Sequence, residues 1–217
     1  MLRLGMKLTS DLPLQEAPTP AAHTAPKRRR AIQRVATDEA ADALGKIERG
    51  IELFALTNGQ FSLVDILQHC LNATGPAELD VATWTASDGD LKRAHAFLLD
   101  RRVTRFRLLV DPSFKSRKPE FCAELVRTFG NDAIRTTPLH GKFAVIRNAK
   151  WSLAIRTSMN LNVNRRIESV EISDDSALAD FLAGWVHEVF ERSSDGNFGS
   201  QSRALNATQE APSRLAF

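Results

Sequence analysis

The chain has 217 residues, of which 43% are apolar and 25% are charged, and its formal net charge is +3. A chain of this size and composition can bury one good hydrophobic core, which predicts a single domain with polar tails. No apolar run approaches the roughly eighteen residues that a bilayer span needs, and the first residues lack the apolar core of a secretory signal. We therefore expect a cytoplasmic protein without a membrane span.

The first 35 residues are expected to form a disordered basic arm. Residues 13–26 are rich in Pro, Ala and Thr and cannot bury enough apolar surface to order themselves. Four consecutive cations follow: Lys27, Arg28, Arg29 and Arg30. Such an arm could neutralise nucleic-acid phosphates, or it could be a solvated tail that keeps the protein soluble. Residues 194–217 have a Ser, Asp, Gly, Asn and Gln composition that predicts a second disordered tail, so the domain covers residues 36–193.

Apolar periodicity in the first part of the domain predicts alternating helices and strands. The predicted helices are 37–47, 61–71, 90–102 and 119–129, and the predicted strands are 51–57, 78–84, 105–111 and 133–137. This alternation is typical of an α/β domain with right-handed crossovers between neighbouring parallel strands. Ligands of such sheets bind beyond the carboxyl ends of the strands.

The two cysteines of the chain are Cys70 and Cys122. Both lie on apolar faces of predicted helices, which indicates buried thiols in a reducing compartment. They are too few and too far apart in the sequence to form a metal site.

A predicted hairpin follows, with two apolar runs, 143–146 and 151–155, on either side of a polar break. His140 and Lys142 enter the first strand two residues apart, so the alternation of side chains places both on one face. Polar residues leave the second strand at the same end of the hairpin: Thr157, Ser158 and Asn160. An imidazole, an ammonium and an amide around one anion suit attack on a phosphodiester.

Beyond the hairpin, the pattern predicts a strand at 167–172 and a final helix at 177–192. The helix begins after the capping residues Asp174-Asp175-Ser176. Its predicted apolar stripe consists of Leu178, Phe181, Leu182, Trp185, Val189 and Phe190. A stripe of this width predicts a helix that packs on one face of the sheet.

The tripeptide His140-Gly-Lys142, with Ser158 and Asn160 after the strand pair, resembles the H-x-K-x4-D-x6-G-S-x-N motif of the phospholipase D superfamily. The resemblance implies a phospholipase D-like mixed sheet flanked by helices, and a phosphodiesterase that needs no metal and no cofactor. It implies that His140 attacks phosphorus to form a phosphohistidine, that Lys142 and Asn160 hold the phosphate oxygens, and that Ser158 supports the nucleophile. An acidic residue often hydrogen-bonds the motif histidine in this family, and Glu168 is the candidate.

The chain departs from the family motif at three points. Arg147 occupies the position of the family aspartate, beside Asn148, and Thr157 replaces the glycine before the serine. The interval from the histidine to the serine is a few residues longer than in compact members. Only one copy of the motif is present, whereas a complete site in this family uses two histidines. A working enzyme is therefore expected to be a twofold homodimer in which each subunit supplies one histidine.

Further candidates for substrate binding lie near the expected cleft. Trp84 follows a strand and could stack on a base or cover the nucleophile, although a core aromatic at a strand end is the commoner case. Lys115, Arg117 and Lys118 lie in a loop on the cleft side and could bind phosphates. With the basic arm, these residues favour nucleic acid as substrate, and short chains of this kind resemble bacterial and phage members of the family.

Two other classes of protein remain open. One is a nucleic-acid-binding or assembly module that kept the fold and lost the chemistry, which Arg147 and the single motif support. The other is a phospholipid-directed enzyme, which an amphipathic membrane-facing segment would support.

Overall fold

A computed structural model of the chain describes residues 21–24, 31–34, 39–114, 123, 126–127, 130–162 and 165–192. The strands in this part of the chain are β1 Ala21–Thr24, β2 Ala31–Arg34, β3 Glu52–Thr57, β4 Ala77–Thr83, β5 Val103–Val110, β6 Ile134–Thr136, β7 Phe143–Arg147, β8 Ser152–Thr157 and β9 Glu168–Asp174. The helices are α1 Ala40–Leu44, α2 Leu63–Thr74, α3 Asp88–Leu99 and α4 Ser176–Arg192, with a 3-10 helix at Asn131–Ala133. Most of the helix predicted at 119–129 lies outside the described residues.

These strands form one mixed sheet in the order β2-β1-β3-β9-β8-β7-β4-β5-β6. The neighbours β4, β5 and β6 are parallel, as the alternation of strands and helices predicts. β7 joins β4 antiparallel, and β8, β9 and β3 continue the antiparallel part. β3, the first strand that the sequence predicts, pairs with β9 and not with β4. The predicted α/β fold, a mixed sheet flanked by helices, is confirmed.

Two strands lie within the range 1–35 that the sequence assigns to a disordered arm. β1 pairs with β2 and with β3, both antiparallel, and so extends the sheet beyond β3. Each is four residues long. The composition of the range does not predict them; β1 is joined to β3 and β2 is joined to β1 by backbone pairing. Residues 25–30, which include the four cations, and the predicted tail 194–217 lie outside the described residues.

The larger hydrophobic core lies on the face of the sheet that α1 and α2 cover. In β3 the side chains alternate between buried and exposed, as the period of a strand requires. The side chains of Leu53, Leu79, Ile146 and Ile155 from four strands are fully or almost fully buried there with Ile66 of α2. Burial of this apolar area on folding is the main stabilising contribution to the sheet.

Helix α2 begins and ends where its sequence predicts a boundary. The backbone amide of Ser62 donates a hydrogen bond of 2.7 Å to the carboxylate of Asp65, which satisfies a group left free at the first turn. Gly75 follows the helix with φ of 72°, a conformation in which a side chain would be strained. The helix thus delivers the chain directly into β4.

Helix α4 covers part of the other face, over β7 and β8. Small residues line its inner side, and Ala179, Ala183 and Val186 are buried against Val145 and Ala154 of the sheet. Most of the predicted apolar stripe packs around this cluster: Leu178, Leu182, Trp185, Val189 and Phe190.

The prediction is wrong for Phe181, which is 70% exposed. It follows the buried Ala179 by two positions, and two positions rotate a side chain by about 200° around a helix. The small inner residues let α4 approach the sheet closely and set which side faces inward, so Phe181 points outward.

Cys70 is buried in the larger core, as the sequence predicts, and burial raises the pKa of its thiol to about 12. The thiol therefore stays protonated at neutral pH and behaves as an apolar side chain. Cys122 lies outside the described residues. None of the helices in the described part of the chain is long and apolar enough to cross a bilayer.

Candidate active site

The candidate site lies at one end of the sheet, called here the site end, where β4, β5 and β8 finish and β7 and β9 begin. Because β7 and β9 run antiparallel to β8, their first residues lie beside the last residues of β8. The backbone amide of Thr157 donates a 3.1 Å hydrogen bond to the carbonyl of Lys142, which extends the ladder into the motif. The segments that carry His140, Ser158 and Glu168 thus meet at the site end, although they are distant in the sequence.

The side chain of Lys142 is half-buried at the entry to β7, and its ammonium donates a 2.9 Å hydrogen bond to the carbonyl of His140. Burial lowers the pKa of Lys142, and the charge of Glu168 opposes that effect by raising it. The pKa is lowered overall, since removal from water penalises the charged ammonium more than one carboxylate compensates. The site end therefore holds a cation that is incompletely balanced.

Ser158 and Glu168 form a direct pair. The hydroxyl of Ser158 donates a short hydrogen bond to the carboxylate of Glu168 and accepts one of 2.9 Å from the backbone amide of Ser169. The family resemblance assigns Glu168 to the motif histidine, whereas the hydrogen bond described here joins it to the serine. Both hydrogen-bonding roles of the hydroxyl are engaged, so Ser158 fixes the position of Glu168 at the site end.

The ring of His140 is exposed and lies beside Trp84, with 5.9 Å between the ring centroids and an angle of 51° between the planes. Trp84 is half-buried and follows the last residue of β4, so it lies at the site end. The tryptophan ring is thus in contact range of the imidazole, which stays exposed to solvent.

Asp111 holds the loop that carries His140. Its carboxylate accepts a 3.1 Å hydrogen bond from the backbone amide of Leu139 and another from the amide of Ser113 at 2.9 Å. The sequence places Asp111 at the carboxyl end of a predicted strand, where ligands of such sheets bind, but does not show that its carboxylate holds this loop. An Asp-Pro-Ser turn directly after a strand is the signal that could have identified it, since a carboxylate there often accepts backbone amides.

Asn160 lies in a turn that packs against the loop after β4. Thr83 is fully buried. Its hydroxyl donates a hydrogen bond of 2.9 Å to the carbonyl of Thr85 and lies 3.5 Å from the amide oxygen of Asn160. The backbone amide of Leu161 donates a hydrogen bond of 3.1 Å to the carbonyl of Thr85, and the backbone amide of Ser87 donates one of 2.7 Å to the carbonyl of Leu161. These bonds fix the turn from both sides. Thr83 was missed because its partner lies far along the chain.

Arg147 lies away from the site, at the opposite end of β7. The four residue steps from Phe143 to Arg147 span about 13 Å. Its guanidinium lies 3.1 Å from the carboxylate of Asp180 on α4 and 3.8 Å from that of Glu78 on β4. These groups line a cavity of about 450 Å³ together with Arg105 and Arg107. Arg147 therefore belongs to an ion-pair network at the end of the sheet opposite the site end.

The remaining predicted site residues lie outside the described part of the chain. They are the loop cations Lys115, Arg117 and Lys118 and the arm cations Lys27, Arg28, Arg29 and Arg30. Among the described candidates, the site end brings together the segments of His140, Lys142, Ser158, Asn160, Glu168 and Trp84.

No protein-family model and no curated protein matches the chain. Among solved structures, it is similar to NucT from Helicobacter pylori, with 12% identity, a TM-score of 0.48 and coverage of 64% of this chain and 96% of that chain. It is similar to Nuc from Salmonella typhimurium, a phospholipase D family member, with 15% identity, a TM-score of 0.46 and coverage of 64% and 93%. TrmBL2, an archaeal chromatin protein, has 12% identity and a TM-score of 0.44, with coverage of 68% and 54%.

The chain has the α/β fold that the sequence predicts, with one mixed sheet flanked by helices. The roles of individual residues therefore rest on the geometry of this chain and not on a likeness to other proteins.

Proposed function

We propose that the chain is a metal-independent phosphodiesterase that acts on nucleic acid through a phosphohistidine intermediate, as a homodimer. The observation that carries this proposal is the meeting of the segments of His140, Lys142 and Asn160 at one end of the sheet, with Trp84 against the imidazole. A nucleophile, a cation and an amide donor at one place match the charge that develops on a phosphoryl group under attack.

In the proposed first step, a neutral nitrogen of His140 attacks phosphorus in line with the leaving oxygen. The new nitrogen–phosphorus bond forms as the bond to the leaving oxygen breaks, and the partner's His140 donates a proton to that oxygen. Lys142 and Asn160 hold the non-bridging oxygens, where negative charge concentrates. Ser158 acts through Glu168, which it positions beside the ammonium of Lys142.

In the second step, water attacks the phosphohistidine while the partner's His140 accepts its proton. The nitrogen–phosphorus bond breaks, and the imidazole returns to its starting state. The partner's His140 therefore acts as general acid in the first step and as general base in the second.

The binding residues of the proposal extend beyond the site end. Trp84 would contact the substrate beside the imidazole, and phosphates further along the strand would meet Lys115, Arg117 and Lys118. The arm cations Lys27, Arg28, Arg29 and Arg30 would add sequence-independent attraction that weakens with salt. The domain of the proposal spans residues 36–193 together with β1 and β2, which extend its sheet, and residues 194–217 form a tail.

The test is hydrolysis of a bis-aryl phosphodiester and of single- and double-stranded DNA in the presence of a chelator. We expect wild-type turnover with the chelator present and a loss of at least about a thousandfold in His140→Ala, which removes the nucleophile. Activity that survives in the variant, or that the chelator alone abolishes, would count against the proposal. DNA binding without turnover in the wild type would instead establish the alternative of a binding module without chemistry.

A further inference from the structure

Two exposed arginines, Arg165 and Arg166, lie in the connection that leads from the Asn160 turn to β9. Upstream, Leu161 is held by backbone hydrogen bonds to the loop after β4. Downstream, Glu168 is held by the hydroxyl of Ser158. Because two residues of chain span at most about 7 Å, Arg166 cannot lie far from Glu168. Both arginines are therefore tethered to the site end.

Most other arginines in the described part of the chain have a carboxylate partner, whereas these two have none among the described residues. The guanidinium groups that have carboxylate partners in ion pairs belong to Arg49, Arg93, Arg102, Arg105, Arg107, Arg147, Arg156 and Arg192. Within the residues that the structure describes, no ion pair involves Arg165 or Arg166. Two exposed guanidinium groups without carboxylate partners add little to the stability of the fold. They are available to bind an anion from solution.

We propose that Arg165 and Arg166 bind the backbone phosphates of nucleic acid next to the phosphate under attack, so that they select a polymer over an isolated diester. This inference deepens the proposed function and rests on it. A planar guanidinium binds phosphate with two parallel hydrogen bonds, and adjacent arginines match the repeated charge of a strand.

The neighbouring residue favours nucleic acid over a lipid surface as the occupant. Ile167 is 57% exposed, and among the described residues it is the apolar side chain that adjoins the arginine pair in the sequence. One apolar side chain buries too little area to anchor a protein in a bilayer, which requires a broad apolar helix face or several such groups. It is sufficient for contact with one sugar or base.

The test compares Arg165→Gln/Arg166→Gln with the matched control Arg101→Gln/Lys150→Gln. The control removes the same charge from exposed positions at the opposite end of the sheet, before β5 and between β7 and β8. Two readouts are measured: the binding of a labelled single-stranded oligonucleotide as a function of salt, and the ratio of kcat/KM for an oligonucleotide to kcat/KM for a bis-aryl phosphodiester.

For the arginine variant we expect the slope of log K against log salt to become shallower by about 1.4, since each phosphate contact on a single strand contributes about 0.7. The ratio of the two kcat/KM values is expected to fall at least about tenfold, whereas both readouts match the wild type in the control. Arg165→Lys/Arg166→Lys keeps the charge, and we expect it to restore the slope.

A slope and a ratio equal to those of the control would overturn the inference. So would binding to phosphatidylglycerol vesicles that depends on the two arginines while oligonucleotide binding does not. If the wild type fails to hydrolyse the small diester, the proposed function fails, and the salt slope still tests the arginine pair by itself.

Discussion

The ammonium of Lys142 is the group at the site end whose charge state depends most directly on its surroundings. Burial lowers its pKa, and Glu168 opposes this. A lysine with a lowered pKa in the folded protein binds its proton less tightly there than in the unfolded chain. The unfolded chain thus binds more protons between the two pKa values, so the stability of the fold increases as pH rises through that window.

The activity, unlike the stability, should fall as pH rises through this window, because a neutral amine cannot balance the charge of the phosphate oxygens. We predict that Glu168→Gln moves the alkaline limb of the kcat/KM profile of a bis-aryl phosphodiester to lower pH. The substitution removes the charge that raises the pKa of Lys142 and keeps a side chain that can accept from Ser158. The measurement is the rate across the alkaline range.

Glu171→Gln is the matched control, because Glu171 lies on the same strand but pairs with Arg156. Its alkaline limb should coincide with that of the wild type. A limb that stays in place or moves to higher pH in Glu168→Gln would contradict the electrostatic role of Glu168.

Strand β7 shows how one element separates two functions. Its entry carries His140 and Lys142, and its other end carries Arg147 in ion pairs with α4 and β4. Its buried side chains alternate between the two cores, with Ala144 and Ile146 in one and Phe143 and Val145 in the other. The hydrogen bond of Lys142 at the start of β7 and the ion pairs of Arg147 at its other end therefore have no residue in common.

This separation gives a prediction for Arg147→Asp, which places at this position the residue of the motif that the sequence resembles. The new carboxylate would lie opposite Glu78 across the strand pair and near Asp180. Like charges directly opposite in a sheet are destabilising, so we expect a loss of about 1 kcal/mol in the free energy of unfolding. The melting temperature should fall by about 3 °C.

The kcat of the folded Arg147→Asp protein on a small diester should equal that of the wild type. Arg147→Ala is the control that removes the pair without adding repulsion, and its melting temperature should fall less. A gain in activity in Arg147→Asp would show that position 147 acts on the site after all.

The strand pair of the motif could be predicted from sequence, because two apolar runs around a short polar break determine both strands and the end at which their polar residues meet. The parallel strands β4, β5 and β6 could also be predicted, because strands that alternate with helices are typically parallel neighbours. The pairing of β3 with β9 could not be predicted, since periodicity does not state which strands are neighbours. Thr83 could not be predicted, because the contact between its hydroxyl and Asn160 joins segments distant in sequence and a single buried hydroxyl has no periodic pattern. The hydrogen bond between Asp111 and the backbone amide of Leu139 also joins distant segments, so its role in holding the loop could not be predicted either.

At the scale of the whole molecule, the proposed mechanism needs two copies of a 24.0 kDa chain that carries the motif once. One His140 per chain supplies the nucleophile or the general acid but not both at once. A shared site on a twofold axis solves this, because each subunit meets the same residues of the other. The mass in solution should therefore be twice that of the chain.

Mixed dimers provide the sharpest test of that arrangement. Wild type and His140→Ala carrying different affinity tags are mixed in known ratios, unfolded and refolded together so that subunits pair at random. A shared site is inactive when either histidine is missing, so activity should follow the square of the wild-type fraction, with about one quarter left at equal amounts. Activity linear in that fraction, with about one half left, would show that each chain holds a complete site. Refolded mixtures of wild type and Arg101→Gln, whose substitution lies at the opposite end of the sheet, should keep full activity at every ratio.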